Sequence, residues 1–349
     1  MYDLPPVAAD LLRWFDANKR VLPFRTESTP YRVWISEIML QQTRVSAAMP
    51  YFERFVAELP GVQALAECEE EKLHKLWEGL GYYSRVRNLQ KAAKMVMEQY
   101  GGQLPADYAL LQKLPGIGEY TAGAIASISF GLPVVAVDGN VLRVFSRLLN
   151  DDGNILHPDT KKAFSAVVQS HQPPQRAGAY NEALMELGAL VCTPTSPKCT
   201  GCPLQTQCAA YDAGTQETLP HKTPLKSRRV QEYTVLLVQC HGKVLLCRRP
   251  DSGLLAGLWQ PLLQEEKYPQ TQAKKWLCAQ GFTVSGIEDA GKAKHIFTHL
   301  EWHMTGYLCT VEEQLVPADC VWATRQEVED TYTLPNAFKG FRKQLLQIL

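Results

Sequence analysis

The sequence has no excess of charge of either sign and no long apolar run. It contains 36 Lys and Arg against 36 Asp and Glu, and an overall charge of zero does not by itself indicate nucleic-acid binding. Its apolar runs are all too short to cross a membrane. The opening MYDLPPVAAD has neither the basic residues nor the apolar core of a targeting peptide. We therefore predict a cytoplasmic protein without a membrane partner, in which any DNA contact depends on local patches and backbone donors.

Cysteine, in contrast, is abundant, with ten residues in the chain. Cys192, Cys199, Cys202 and Cys208 lie close together, with six, two and five residues between successive members. Thiolates clustered in this way usually hold a metal centre, and four sulfurs without histidine fit a structural zinc ion or a 4Fe–4S cluster. Zinc modules usually have two Cys-x2–4-Cys pairs separated by a longer arm, whereas this segment has one. The spacing therefore favours the iron–sulfur cluster.

A pair of disulfide bonds is the other explanation for these four cysteines. Six further cysteines are scattered over the chain, at positions 68, 240, 247, 278, 309 and 320. That distribution, without a secretory signal, is typical of a reducing cytosol in which thiolates bind metal instead of pairing. We therefore expect thiols throughout the chain.

Apolar periodicity divides the chain into a helical part and a mixed part. Residues 1–212 place apolar residues at three- and four-residue steps between proline and glycine punctuation, which predicts an all-α domain. Residues 213–230 contain Gly214, Pro220 and Pro224 and are typical of a linker. Residues 231–349 predict a separate α/β domain, with a hairpin turning at His241-Gly242, a helix near 270–280 and a closing helix near 336–349.

The segment LPGIGEYTAGAIAS, from Leu114 to Ser127, combines a tight turn with the start of a helix. Gly116 and Gly118 free the backbone to approach a partner closely, and the amides at the helix start suit a phosphate. Such an element can bind a DNA backbone without reading its sequence. An ordinary connection between two helices explains the motif equally well when it is taken alone.

Two carboxyl groups are candidates for acid–base chemistry. Asp138 follows an apolar run and precedes Gly139-Asn140 and a predicted helix, so it is either a simple N-cap or a cap that is also a fixed carboxylate. Glu37 has mostly apolar helical neighbours, and burial would raise the pKa of its carboxyl and make it a general acid near neutral pH. A solvated glutamate at a helix edge is the alternative for Glu37, and its segment alone favours that alternative.

The segment GLGYYSRVRN, from Gly79 to Asn88, places two adjacent tyrosines before Arg85 and Arg87. A stacking ring beside phosphate-pairing cations fits insertion into a nucleic acid. Two core tyrosines beside a basic helix face would produce the same pattern.

Taken in order, EIMLQQT, GLGYYSRVRN, LPGIGEYTAG, VDGNVLRV, the cysteine loop 192–208 and the trailing α/β domain resemble the helix-hairpin-helix DNA glycosylase superfamily. Within it they resemble the MutY-type adenine glycosylases, over essentially the whole chain. The resemblance implies a multidomain protein with an all-α helix-hairpin-helix domain that carries a 4Fe–4S cluster, followed by a Nudix-like domain. It implies base excision repair of adenine paired with 8-oxoguanine or guanine in double-stranded DNA. Nothing in the sequence suggests more than a monomer, and we expect the enzyme at the bacterial nucleoid.

The resemblance also implies roles for individual residues. Glu37 would protonate adenine at N7, and Asp138 would stabilise the positively charged sugar or bind it in a transient covalent adduct. The further positions are Tyr120 and Asn140 beside Asp138, Arg25 and Glu182 around the flipped adenine, Gln42 and Tyr82 in the gap left in the duplex, and Phe297, Thr298 and His299 as the sensor of 8-oxoguanine.

Two departures from related enzymes bear on the reaction. Tyr120 stands where glycosylases of the endonuclease III type carry a catalytic lysine, and a phenol cannot form a Schiff base, so β-elimination is not expected. The segment Leu254–Trp259 resembles the entry to a Nudix fold, but the acidic metal-binding segment does not follow it, so this domain should recognise a nucleotide without hydrolysing one. An endonuclease III-like glycosylase/lyase and a non-catalytic iron–sulfur damage sensor or electron carrier are the alternatives.

Overall fold

The computed structural model describes residues 4–223, 227–313 and 315–347. The chain forms two compact units, one comprising Met1–Glu67 and Arg87–Leu225, the other Cys68–Val86 and Lys226–Leu349. Residues 68–86, which periodicity places inside the helical region, therefore pack with the unit that contains the sheet. Pro224 of the predicted linker and the last two residues of the predicted closing helix lie outside the described residues. Among the described helices, none has both the length and the apolar character needed to cross a bilayer.

The first unit is helical, as its periodicity predicts. In chain order the helices are α1 (Ala8–Asn18), α2 (Pro23–Thr26), α3 (Pro30–Leu40), α4 (Val45–Glu58), α5 (Val62–Glu67), α6 (Glu70–Trp77, in the second unit), α7 (Ser84–Tyr100, which begins in the second unit), α8 (Tyr108–Leu111), α9 (Glu119–Phe130), α10 (Gly139–Leu148), α11 (Pro158–Ser170), α12 (Ala177–Leu190) and α13 (Ala209–Asp212). Short 3-10 turns at Pro174–Arg176, Cys199–Gly201 and Gln205–Gln207 complete it.

Close helix packing brings α9 and α12 together in this unit. A Cβ atom at Gly178 of α12 would lie 2.7 Å from the Ser127 carbonyl oxygen of α9, and one at Gly123 of α9 would collide with the Val135 carbonyl oxygen in the segment between α9 and α10. Only glycine permits backbones to approach to this extent. Helices α1, α10, α11 and α12 contribute the side chains of one buried apolar cluster of this unit. Because α3 also packs on α9, helices α3, α9, α10 and α12 surround a common space.

The second unit is built on a mixed seven-stranded sheet. The strands are β1 (Arg229–Cys240), β2 (Lys243–Arg248), β3 (Trp259–Gln260), β4 (Leu262–Gln264), β5 (Val284–Ile296), β6 (Leu300–Val311) and β7 (Cys320–Ala323). The main order is β3-β2-β1-β6-β5, with β1 and β6 parallel, while β4 pairs with β1 and β7 with β2. The predicted hairpin is confirmed, because β1 and β2 pair antiparallel across His241-Gly242, both at positive φ as a tight hairpin turn requires.

Helices cover both faces of this sheet. On one face lies α14 (Gln270–Ala279), which confirms the helix predicted near 270–280. The other face is covered by α15 (Arg325–Asp330), a 3-10 helix at Asn336–Phe341 and α16 (Arg342–Gln347). The prediction of one closing helix near 336–349 is therefore wrong in its first half. Phe338 and Phe341 are both buried, and with three residues per turn the 3-10 helix stacks them on its sheet-facing side.

The expectation of thiols throughout the chain is wrong for one pair. Cys247 of β2 and Cys320 of β7 form a disulfide with their Cα atoms 4.0 Å apart. The two residues are opposite in the antiparallel register, and the hydrogen bond between these strands falls on the next pair, from Arg248 N to the Asp319 carbonyl. Pairs without hydrogen bonds have closer side chains, which allows the bond. The four cysteines of the loop, at positions 192, 199, 202 and 208, are free thiols, as expected.

Candidate active site and cysteine loop

A cavity of about 620 Å³ in the first unit collects the predicted catalytic residues. Six residues predicted from the sequence line it: Arg25, Glu37, Tyr120, Asp138, Asn140 and Glu182. They come from α2, α3, α9, α10 and α12 and from the N-cap of α10. Gln42, Tyr82 and the two hairpin glycines are not among the lining residues.

Glu37 is a buried acid on α3. Its residue is 6 % exposed, so the alternative of a solvated glutamate is wrong. One carboxyl oxygen accepts a hydrogen bond of 2.5 Å from the Tyr120 hydroxyl. Burial, assisted by the nearby Asp138 charge, raises the pKa of Glu37 to about 7, although the Tyr120 hydrogen bond acts in the opposite direction. A large part of the Glu37 population is therefore protonated at neutral pH.

Asp138 is both the N-cap of α10 and a fixed carboxylate, so the two readings of its position hold together. Its Oδ1 accepts hydrogen bonds of 2.8 Å from the backbone N–H groups of Asn140 and Val141, and its Oδ2 accepts one of 2.7 Å from Asn140 Nδ2. Burial raises the pKa of Asp138 above its usual value, and these three hydrogen bonds oppose that rise. These donors and the helix N-terminus stabilise the charged form of the carboxyl and so limit the rise that burial causes.

Tyr120 connects the start of α9 to Glu37. Its hydroxyl lies 2.5 Å from Glu37 Oε2 and 3.6 Å from the Met185 sulfur. Burial and the adjacent Glu37 carboxyl raise the pKa of Tyr120 well above its usual value, so it remains a phenol and a hydrogen-bond donor at neutral pH. This donor fixes the orientation of the Glu37 carboxyl.

An arginine–glutamate network forms one wall of the cavity. Arg25 donates from Nε to Glu182 at 2.8 Å and from Nη2 to Glu186 at 3.0 Å. Arg20 donates to both oxygens of Glu186, at 2.7 and 2.8 Å. Burial acts to raise the pKa of Glu186, but the hydrogen bonds from Arg20 and Arg25 lower it to about 2. Sequence reasoning missed Arg20 and Glu186. The four-residue spacing of Glu182 and Glu186 on α12 was the available signal.

The two hairpin glycines join α8 to α9. Gly116 has a φ of +79°, and a Cβ atom there would lie 2.8 Å from the Asn88 Cβ. Gly118 is the N-cap of α9. The turn therefore needs glycine at position 116 for two independent reasons, its conformation and its close contact.

Gln42 and Tyr82 share an unusual backbone conformation. Gln42 has a φ of +60° and Tyr82 a φ of +48°. Residues other than glycine seldom occupy this left-handed region, and those that do are concentrated at functional sites. Tyr82 is also 49 % exposed, so the alternative of a buried core tyrosine is wrong for it, whereas the adjacent Tyr83 is buried.

Phe297, Thr298 and His299 form the turn between β5 and β6 in the second unit. The Phe297 N–H donates to the Leu300 carbonyl at 2.8 Å, which closes the turn. The Phe297 ring packs against His295 and Trp302, with ring centres 4.5 and 5.0 Å apart. Thr298 and His299 are exposed at the tip. The turn therefore exposes the side chains of Thr298 and His299, and the packed ring of Phe297 supports them.

The four cysteines of the loop lie close to one another. Cys192, Cys202 and Cys208 pack against the apolar cluster of the first unit. Burial raises the pKa of Cys202 to about 12, and the charges of the three other cysteines raise it further. In residues 4–223, 227–313 and 315–347, no group of three or more His, Cys, Asp or Glu is arranged to hold a single metal ion. In a four-iron cluster each cysteine binds a different iron, so four such sulfurs need not converge on one point.

Two arginines of α10 that sequence reasoning missed anchor this loop. Arg143 donates to the Cys192 carbonyl at 2.9 Å and to Asn140 Oδ1 at 2.8 Å. Arg147 donates to the Cys192 sulfur at 3.2 Å and to the carbonyls of Thr193, Pro194 and Leu219. A hydrogen-bonded chain therefore runs from Asp138 through Asn140 and Arg143 to the first cysteine of the loop.

Replacing Arg147 with methionine is expected to lower the free energy of unfolding by about 3 kcal/mol, because one buried and three partly buried hydrogen bonds lose their charged donor. Arg147 is 1 % exposed. Denaturant unfolding, together with limited proteolysis of the loop, measures the effect. Arg13, whose side chain is 78 % exposed and forms an ion pair with Asp10, is the matched control, and Arg13→Met should change stability by about 0.5 kcal/mol or less. Equal losses in the two variants would contradict the anchoring role of Arg147.

Comparisons with known proteins agree with this geometry. Residues 35–170 match the HhH-GPD superfamily of base excision DNA repair proteins, and residues 233–344 match the NUDIX domain. Adenine DNA glycosylase of Mus musculus is 35 % identical over 387 residues, which cover 93 % of this chain and 75 % of the mouse protein.

Two solved structures resemble the helical part. A thermostable thymine-DNA glycosylase has a TM-score of 0.55 and 26 % identity, and a non-covalent endonuclease III–DNA complex has a TM-score of 0.51 and 25 % identity. Each similarity covers 59 % of this chain, and 95 % and 94 % of the respective structures. The predicted fold class, a helix-hairpin-helix glycosylase domain followed by a Nudix-like domain, is confirmed. The chain belongs to the adenine DNA glycosylase family, whose members are enzymes of base excision repair.

Proposed function

We propose that this enzyme hydrolyses the N-glycosidic bond of adenine that is mispaired with 8-oxoguanine or guanine in double-stranded DNA. The observation that carries the proposal is the presence in one cavity of Glu37, with a pKa of about 7, and Asp138, whose carboxyl is surrounded by donors. Two carboxyl groups with opposed protonation states beside one glycosidic bond follow the logic of glycosidases.

Glu37 supplies the proton that the reaction requires. Adenine is a poor leaving group as an anion, so a proton must reach the base, at N7, as the bond breaks. The Tyr120 hydroxyl occupies Glu37 Oε2, which leaves the other carboxyl oxygen to carry the proton toward the base. A pKa near the working pH allows Glu37 both to hold the proton and to release it.

Asp138 stabilises the positive charge that develops on the sugar. Its hydrogen bonds to Asn140 and Val141 hold the carboxylate in place before the substrate arrives, so little reorganisation is needed during the reaction. The fixed position of the Asp138 carboxylate is also compatible with a transient covalent adduct to the sugar.

Arg25 and Glu182 recognise the adenine after it leaves the stack. Flipping a base out of the duplex costs a few kcal/mol, which contacts in the pocket must offset. Glu186 accepts a second hydrogen bond from the Arg25 guanidinium and so preorganises it. Gln42 and Tyr82 fill the gap in the duplex, and the Gly116–Gly118 turn contacts the DNA backbone.

The reaction is proposed to stop at base removal. Lyase chemistry needs an amine that forms a Schiff base with the sugar. The described residues that line the cavity include no lysine, and Tyr120 stays a phenol. Both features support a monofunctional glycosylase over an endonuclease III-like lyase, and the presence of two positioned carboxyls supports an enzyme over a silent damage sensor.

The cysteine loop is proposed to hold a 4Fe–4S cluster. Four neighbouring thiols with the Arg147 guanidinium beside the Cys192 sulfur fit an anionic, thiolate-bound group. Cys192, Cys199, Cys202 and Cys208 would be its ligands, and the cluster would order the loop. The enzyme itself would act as a monomer on DNA of the bacterial nucleoid.

Single-turnover release of adenine from duplexes tests the proposal. Adenine opposite 8-oxoguanine or guanine should be released, whereas adenine opposite thymine should be released far more slowly, because the turn at Phe297–His299 is proposed to read the opposite base. Strand breaks should appear only after treatment of the product with base or heat. Equal release opposite thymine would contradict the mispair specificity, and direct nicking would contradict monofunctional chemistry.

A further inference from the structure

The turn that carries Tyr82 is held by residues of the C-terminal part of the chain. Helix α6 and the turn that follows it belong to the same compact unit as the sheet. Asn336 Nδ2 donates to the Gly79 carbonyl at 2.9 Å. The partners in this hydrogen bond are 257 residues apart in sequence, so the Nudix-like domain reaches the Tyr82 turn directly.

Charged contacts fix the helix end just before the turn. Glu78 lies 2.8 Å from Lys75 Nζ and 3.4 Å from Arg342 Nη1, and its side chain is only 12 % exposed. Lys75 also donates to the Val328 carbonyl at 3.1 Å. Two elements of the C-terminal region, α15 and the segment that begins α16, therefore hold the end of α6.

Within the turn itself the carbonyls are also bound. Trp77 Nε1 donates to the Gly81 carbonyl at 3.0 Å, and Arg85 Nη2 donates to the carbonyls of Leu80 and Gly81 at 3.4 and 3.3 Å. The Arg85 guanidinium also lies over the Tyr82 ring, 5.3 Å from its centre. These contacts orient the exposed ring but come from neighbours in sequence, whereas the Gly79 carbonyl is bound from the C-terminal domain.

The backbone of this turn needs such support. Gly79 and Gly81 have φ values of +103° and +73°, and Tyr82 follows at +48°. Glycines that can adopt many conformations make a turn entropically costly to order. Tyrosine in the left-handed region persists only where its surroundings enforce that conformation. A donor that fixes the Gly79 carbonyl therefore selects the backbone conformation in which the Tyr82 ring points outward.

We propose that the C-terminal Nudix-like domain positions the Tyr82 wedge, and that Asn336 is the positioning residue. The inference rests on the proposed role of Tyr82 in filling the gap in the duplex. It assigns this domain a second task, which is separate from reading the opposite base at Phe297–His299. The domain then affects base flipping through the backbone of the turn that carries Tyr82.

Full-length protein with Asn336→Ala, Asn336→Asp, Tyr82→Ala and the double change Asn336→Ala/Tyr82→Ala tests this proposal. Insertion of the wedge is followed by the fluorescence of 2-aminopurine placed next to the target adenine, and chemistry by single-turnover release. Asn336→Ala should slow the fluorescence step about two- to tenfold, the range expected for one neutral hydrogen bond. Asn336→Asp should slow it more, because a carboxylate would face the Gly79 carbonyl.

Gln270→Ala is the matched control, since Gln270 Nε2 donates at 2.7 Å to the Ile287 carbonyl of β5, in the same domain but outside the turn that carries Tyr82. It should leave both rates unchanged, and all variants should unfold at similar denaturant concentrations. In the Tyr82→Ala background, the change at Asn336 should have no further effect, which a merely destabilising substitution would not reproduce.

The outcomes separate the two proposals. If Tyr82→Ala leaves the fluorescence step unchanged, the wedge role is wrong and the positioning role falls with it. If Tyr82→Ala slows that step but Asn336→Ala does not, or if the two effects multiply in the double variant, only the positioning role is overturned.

Discussion

Glu37→Gln is expected to slow single-turnover adenine release by about 10²–10⁴-fold, the usual contribution of a general acid. Glutamine has the same shape and can still accept the hydrogen bond from Tyr120, but it has no proton to give to the leaving base. Folding and DNA binding should persist. A Glu37→Gln enzyme that kept its full rate would remove Glu37 from the mechanism.

The pH profile provides an independent check of the same residue. Because the pKa of Glu37 is raised to about 7, the acid form that donates the proton is lost above that pH. The rate of wild-type release should therefore fall about tenfold per pH unit once the pH is well above 7. The residual rate of Glu37→Gln should not show this fall. A wild-type profile that stays flat to pH 9 would contradict a titrating acid at this position.

The same shift has a consequence for stability, with a defined sign. In the unfolded chain the carboxyl ionises near its ordinary pKa of 4.5, and in the folded protein only near 7, so the folded state holds the proton more tightly. The stabilisation that the protonated Glu37 contributes is therefore fully present below about pH 4.5 and is lost as the pH rises through 7. The free energy of unfolding falls by about 3 kcal/mol at most over this range. Glu37→Gln should be more stable than the wild type at pH 8 and about equal to it at pH 4.5. The buried acid thus opposes stability under the conditions in which it is useful.

Local signals in the sequence were sufficient for the residues whose partners are nearby. Asp138 was recognisable because a cap and the amides that it binds lie two and three residues apart. The cysteine loop and the glycine turn are equally local. Glu37 was recognisable as a candidate from its apolar neighbours, although its segment alone favoured solvent exposure, and only the packing of α3 against α9 explains its burial.

Residues whose partners are distant in sequence could not be found in the same way. Arg20 and Glu186 are 166 residues apart, and Arg147 binds the Cys192 sulfur across 45 residues. An arginine on an amphipathic helix has the same local pattern whether it faces solvent or a buried carbonyl. For the same reason, apolar periodicity predicted that α6 is a helix but not that it packs with the unit that contains the sheet. The Cys247–Cys320 disulfide depends on strand register, which hydrophobic patterning does not define to one residue in a sheet buried on both faces.

Asp138→Asn is expected to slow adenine release by about 10²–10³-fold, the usual effect of removing one fixed electrostatic contact to the transition state. Asparagine keeps an oxygen that can cap α10, so the free energy of unfolding should change by about 1 kcal/mol or less. It loses the negative charge, however, and places an amide beside Asn140 Nδ2, where two donors would face each other. Single-turnover release and denaturant unfolding, measured on the same preparation, separate the two effects.

Asp107 offers a matched control for this substitution. It is the N-cap of α8 and accepts a hydrogen bond of 2.8 Å from the Leu110 N–H, but it does not line the cavity. Asp107→Asn makes the same chemical change at a helix N-terminus and should leave the rate of release unchanged. If Asp138→Asn lost activity only in proportion to its loss of folded protein, Asp138 would be a cap alone. A large loss of rate in a stable Asp138→Asn protein, with no such loss in Asp107→Asn, requires that the Asp138 charge acts on the sugar.

Because Glu37 and Asp138 act on the same bond, the double variant Glu37→Gln/Asp138→Asn should lose less than the product of the two single losses.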